Sequence, residues 1–301
     1  MQLVNLDVIF LIAHILSMAF GLAGLLWVLP NPEFISQLSS LGQTFFQLGM
    51  SGGGVVYIIF GTIAVSIYAH RTVGVRYWLG FMIPAVFLSL GSELLGTSTG
   101  FPFGHYGYLS GLGYKIAGLV PFTIPLSWFY LGFAAYVLAR AGLRLDHYPK
   151  SWLRHILAIA LGSLLLTSWD FVLDPAMSQT ISPFWVWYQP GAFYGMPYSN
   201  FFGWFGTGVV YMSVAALIWS QWPRLMPYGQ LRFLLWVYLS NLAFAGIMSA
   251  GSGFWVPTAL GILLGAIPAV ILWWRGATAN LANLSSPDAD MAVASVEVVI
   301  K

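Results

Sequence analysis

The chain has no cysteine. That excludes disulfides, thiolate metal sites and cysteine nucleophiles, and leaves the redox compartment open. Charge is nearly as scarce: only 7% of the 301 residues are Asp, Glu, Lys or Arg, against about 25% in a soluble domain. A soluble globule of this length needs far more charge on its surface, which leaves a single polytopic membrane domain. The net charge of +2 comes without a basic run, so nucleic acid is not expected as a partner.

Further absences narrow the chemistry. The five histidines, His14, His70, His105, His147 and His155, never stand three or four residues apart. A membrane di-iron oxygenase needs clustered histidines, so iron-dependent hydroxylation is not expected and neither is any other metal site. The lysines, Lys115, Lys150 and Lys301, fall outside every apolar run, which removes the anchor for a retinal Schiff base. Gly52-Gly53-Gly54 and Gly251-Ser252-Gly253 sit between no strand and helix and match no phosphate-binding loop. No internal repeat is visible, against a transporter of inverted halves. The N-terminus lacks a basic region and a cleavage site, and is expected to be a retained first helix.

What remains is apolar: 59% of residues are hydrophobic. Runs of about 20 apolar residues mark membrane helices, and eight are expected, at 6–29, 53–69, 75–95, 119–139, 153–173, 202–222, 233–250 and 254–274. The fold class is therefore an all-α transmembrane bundle occupying 1–275, followed by a polar, disordered tail at 276–301. The more polar stretch 31–50 is expected to be an interfacial loop or half-helix. Eight spans leave ten of the eleven basic residues on one side, with only Lys115 opposite. The ten include Arg224 and Lys301, and the positive-inside rule makes both termini cytoplasmic.

Against this background the acids stand out. Glu93, Asp170 and Asp174 lie at the ends of spans three and five, where a carboxylate costs several kcal/mol unless protonated or paired, and such residues are commonly functional. Asp170 and Asp174 stand four apart and share a helix face. Two close carboxyl groups resist double ionisation, so one is expected to keep its proton and serve as an acid. The plain alternatives are a turn cap for Asp174, through its Asp-Pro dipeptide, and a loop clasp for Glu93. His14, in mid-span, reads either as functional or as a hydrogen-bonded packing residue.

Long loops follow these acids on the non-cytoplasmic side. Thr97, Phe101, Phe103, His105 and Tyr106 follow Glu93, and Trp128 comes one span later. Trp169, Trp187, Tyr194 and Trp204 surround the aspartates. Interfacial belts explain some of these aromatics, but their density also suits a groove for a long apolar substrate, whose developing cation aromatic faces stabilise. Asn200, at the start of span six, is placed to position water.

Glu93 with GTSTGFPFGHYGY, then PLSWFYLG, SWDFVLDPAM and GAFYGMPYSNFFGW, resembles the CruF-like carotenoid biosynthesis proteins, integral-membrane carotenoid 1,2-hydratases of bacteria and archaea. The likeness is specific from Glu93 to Gly203 and looser, through helix number and length, over most of the chain. It implies hydration of the terminal 1,2 (or 1',2') double bond of an acyclic carotenoid end, of lycopene or gamma-carotene type, giving a tertiary alcohol. No cofactor is implied; water and a carotenoid in the bilayer are the partners, with association among pathway enzymes. In this reading Asp170 or Glu93 protonates C2 and Trp169 and Trp204 face the cation at C1. A second carboxylate and Asn200 then handle the water. An acid-initiated end-group cyclase would use the same cation, and a small proton-coupled transporter would use the same acids as a relay.

Overall fold

A computed structural model describes residues 5–222 and 230–284. Among the described residues, eight helices are long and apolar enough to cross a membrane. The first comprises α1 (Leu6–Ala23) and a π-helical turn, Gly24–Val28, and is followed by the short α2 (Pro32–Gln37). Then come α3 (Ser40–Thr72), α4 (Val75–Thr99), α5 (Thr123–Gly142), α6 (Trp152–Ser178), α7 (Tyr198–Ser220) and α8 (Leu231–Gly251). The eighth joins α9 (Trp255–Leu260), a π-helical segment and α10 (Ile267–Leu284).

Several boundaries differ from the sequence expectation. Residues 40–50 are no loop; Ser39 caps Gly42 N at 3.2 Å and α3 starts there, so the second span is thirteen residues longer at its N-terminal end. Scattered Gln and Ser mask helical character that the cap reveals. α10 runs to Leu284, past the expected start of the tail at 276; residues 285–301 lie outside the described residues, as does Arg224. Span three continues to Thr99 and ends at Gly100, whose φ of +83° is the left-handed cap glycine favours. Span five continues through Pro175 to Ser178. The acids therefore lie inside helices, one or more turns from their ends.

The bundle is organised around α5, buried along almost its entire length and packed against α3, α4, α6, α8 and α10. Lipid supplies no hydrophobic drive between helices, so small residues and polar links set such packing. Gly132 lets the Tyr211 hydroxyl press on the α5 backbone. Tyr130 of α5 donates to Asn241 Oδ1 of α8 at 3.1 Å. Asn241 in turn donates to His14 Nε2 at 2.9 Å, and His14 Nδ1 donates to the Tyr57 carbonyl at 2.6 Å. A carbonyl only accepts, so this fixes the tautomer and occupies both ring nitrogens. His14 is the packing residue of the two readings, and such links contribute about 0.6 kcal/mol each.

The charged end of the bundle is tied by Arg71–Asp7 at 2.6 Å and Arg140–Asp146 at 2.6 Å. The opposite end carries strands absent from the sequence expectation. β1 (Tyr106–Tyr108) pairs antiparallel with β4 (Trp185–Trp187), and β2 (Lys115–Ile116) pairs with β3 (Val120–Pro121). The first ladder joins the two long loops: Tyr106 faces Trp187 and Tyr108 faces Trp185.

Candidate active site

One cavity collects side chains from six helices and this ladder. Asp170, Leu173, Asp174 and Met177 recur on one face of α6 and all line it. Asn200 and Trp204 do the same one turn apart on α7. Glu93 enters from α4, Ile124 and Ser127 from α5, Tyr57 and Ile58 from α3, and Phe244 from α8. The cavity measures about 60 Å³, space for a few water molecules.

Strand side chains alternate between faces, so Tyr106 and Tyr108 project together, as do Trp185 and Trp187. Both phenols donate to Glu93 Oε2, Tyr108 at 2.9 Å and Tyr106 at shorter range. Trp128 Nε1 donates to Glu93 Oε1 at 3.0 Å. Both indoles of β4 donate to Asp174: Trp185 to Oδ2 at 3.0 Å and Trp187 to Oδ1 at 2.9 Å. Ser178 adds a third bond to Asp174 Oδ1 at 3.1 Å. The ladder is therefore a lid whose two strands are fastened to α4 and α6 through carboxyl groups.

Asp170 is different. Asn200 Nδ2 donates to its Oδ2 at 2.7 Å, and Oδ1 receives no hydrogen bond among the described residues. All three acids and Asn200 are at most 2% exposed. Glu93 and Asp174 each have both oxygens committed to donors, the pattern an acceptor-only carboxylate satisfies. Asp170, with one oxygen open to the cavity, can carry a proton and present it.

The phenols stand outside the spans. Burial first, and the nearby Glu93 second, hold both Tyr106 and Tyr108 well above the ordinary tyrosine range, so both keep their protons. Phe103 anchors the loop before them: it is buried between Gly96 of α4 and Gly203 of α7. A Cβ on Gly96 would come within 2.6 Å of its ring, and one on Gly203 would overlap it. Ser199 Oγ also holds the Phe103 carbonyl at 2.8 Å.

Of the residues singled out from sequence, the cavity gathers Glu93, Asp170, Asp174, Asn200, Phe103, Tyr106, Trp169, Trp187 and Trp204. Trp128 stands directly behind it, bonded to Glu93 and stacked on Trp204. Four others do not reach it. Thr97 bonds back to its own helix, to the Glu93 carbonyl at 2.8 Å. Phe101 is 69% exposed, and His105 is exposed with only its backbone held in the lid. Tyr194 packs on Phe193 and Phe254 instead. The turn-cap reading of Asp174 fails because Pro175 lies inside α6. Asn200 is less free to hold water than expected, since its nitrogen is committed to Asp170 and to Met196 Sδ at 2.7 Å. Tyr108 and Trp185, which belong to the dense aromatics of the two loops, also line the cavity, and so does Phe184, which had not been singled out. The Y-G-Y and W-V-W alternation was the available signal.

The family model described as "Carotenoid biosynthesis protein" matches residues 53–268. The bisanhydrobacterioruberin hydratase of Haloarcula japonica is 33% identical over 222 residues, covering 70% of each chain. No solved structure matches.

Proposed function

The chain belongs to the carotenoid biosynthesis protein family, and on that footing we propose that it is a membrane carotenoid hydratase. It adds water across the terminal 1,2 double bond of an acyclic carotenoid end. The observation that carries this is the cavity itself: one carboxyl group with a free oxygen, two locked by donors, and four tryptophans around them. The relative's hydratase activity supports the reaction class.

A non-conjugated alkene is a weak base, so its acid must be poorly hydrated and close by. Asp170 is buried and lines the cavity. It delivers a proton to C2 of the terminal isoprene, and a tertiary cation forms at C1. Trp169 and Trp204, both lining the cavity, turn electron-rich faces to that charge. Asp174 and Glu93 lend negative potential from fixed positions. Asn200 orients Asp170. Water then bonds to C1 and loses a proton, giving a tertiary alcohol with no change in redox state. The cavity takes the branched tip, and the polyene extends from it into the bilayer. We place both termini in the cytoplasm and the lid on the other face.

The test is expression in a host accumulating lycopene or gamma-carotene, with mass analysis of the extracted pigments. The expected product gains one water, and its oxygen derives from labelled water and not from molecular oxygen. Asp170→Asn inserts normally and yields no hydrated pigment. Pigments left unchanged by the wild-type chain, or oxygen taken from the gas, overturn the reading.

A further inference from the structure

The three acids differ in the chemistry of what holds them. Asp174 is held by Trp185, Trp187 and Ser178. An indole N–H only donates, so its two indole partners cannot pass a proton onward. Glu93 is held by Trp128 and by two phenols. A hydroxyl donates and accepts at once, so a phenol that gives its proton to Glu93 can take another on its own oxygen. As a residue Tyr108 is partly exposed, whereas Tyr106 is buried. Tyr108 lines the cavity with Asp170.

Resting on the hydratase reading, we propose that Tyr108, backed by Glu93, is the catalytic group that deprotonates the attacking water. The Tyr108 oxygen receives a proton from the water as the water oxygen bonds to C1, and the Tyr108 hydroxyl proton passes to Glu93 Oε2. Asp170 has by then lost its proton to C2. The balance is one proton onto carbon, one hydroxyl onto carbon, Asp170 ionised and Glu93 protonated. Solvent exchange restores both acids. Tyr106, donating to the same Oε2, keeps that oxygen aligned; it is a positioning residue. Asp174 remains a fixed charge throughout.

Proton delivery and water capture then depend on different residues, and deuterium separates them. In heavy water, a cation that fails to capture water sheds a methyl proton back to the Asp170 carboxylate. The result is an isomerised alkene carrying deuterium at C2. Membranes holding the full chain are supplied with the acyclic carotenoid that the wild type hydrates, and hydrated and unhydrated pigments are weighed. Tyr108→Phe is expected to lose hydration at least about 100-fold, the usual worth of a general base, while unhydrated pigment gains deuterium. Glu93→Gln is expected to show the same split, which covers a poorly folding Tyr108→Phe. Phe101→Ala alters an exposed residue at the start of the lid loop, outside the cavity, and should leave the ratio of hydration to labelling unchanged. Asp170→Asn should abolish both.

The proposal is overturned if Tyr108→Phe and Glu93→Gln lose hydration and labelling together, or if either keeps the wild-type ratio. A wild-type chain that neither hydrates nor labels any pigment refutes the hydratase reading instead, so the two failures are distinguishable.

Discussion

Trp204 lies face to face on Trp128, with ring centroids 4.0 Å apart and planes 18° from parallel. Trp128 is itself held by Glu93 through its N–H at 3.0 Å. The stack gives Trp204 a rigid back, so its orientation is fixed before any charge develops in the cavity it lines. An aromatic face over a poorly hydrated cation contributes about 2 kcal/mol, or roughly thirtyfold in rate. Trp204→Leu should therefore lower turnover by that factor at saturating substrate, with Trp204→Phe in between. Turnover of Trp204→Leu within threefold of wild type would remove the cation role.

Phe103 occupies a slot that exists only because Gly96 and Gly203 lack side chains. Gly203→Ala should overlap the ring and cost about 1–3 kcal/mol, read as a lower unfolding temperature in detergent. Activity should fall too, because Phe103 anchors the loop that carries Tyr106 and Tyr108. Adding Phe103→Leu should restore much of the lost stability. A Gly203→Ala chain as stable as wild type would show that the ring moves freely.

How much of this was legible in the sequence follows from the physics of each part. The helices were legible because lipid forces every backbone group into internal hydrogen bonds, and long apolar runs have no other solution. Glu93, Asp170 and Asp174 stood out because carboxyl groups are expensive in such runs. The lid was not foreseen: three-residue strands carry too short a pattern to separate from a loop. Tyr57 and Phe244 are ordinary apolar helix residues, and only tertiary packing brings them to the cavity. Thr97, Phe101 and His105 were near Glu93 in sequence, but helix rotation and the turn at Gly100 aim them elsewhere.

The phenols of Tyr106 and Tyr108 make a prediction about alkaline pH. Burial, and then Glu93, raise both above the unfolded value of about 10. Below that pH both states keep the proton, and these residues add no pH dependence. Above it the unfolded chain ionises while the folded one does not, so stability falls as pH rises. Thermal unfolding measured from neutral to alkaline pH should show this decline, and the Tyr106→Phe, Tyr108→Phe double variant should decline less. In the native chain the tyrosinate absorbance near pH 10 should be the same for both proteins. A smaller amplitude in the double variant would mean that the phenols ionise normally and the lid is wet.

The absence of cysteine turns the orientation of the bundle into a direct measurement. Among the described residues, Arg71, Arg76, Arg140, Arg144, Lys150, Arg154, Arg232 and Arg275 stand at one end of the spans. Lys115 lies in β2 at the other end. In the orientation proposed above, basic loops stay on the cytoplasmic side, with the lid outside and the Arg71–Asp7 clasp inside. Ser110 and Lys150 are both exposed, one at each end. Ser110→Cys should therefore react with a membrane-impermeant thiol reagent in intact cells, and Lys150→Cys should react only after the membrane is opened. The reverse pattern would put the lid in the cytoplasm, so that water for the reaction entered from there. Equal labelling of both in intact cells would break the eight-span count itself, because only α5 separates the two positions and both can face outward only if it does not cross.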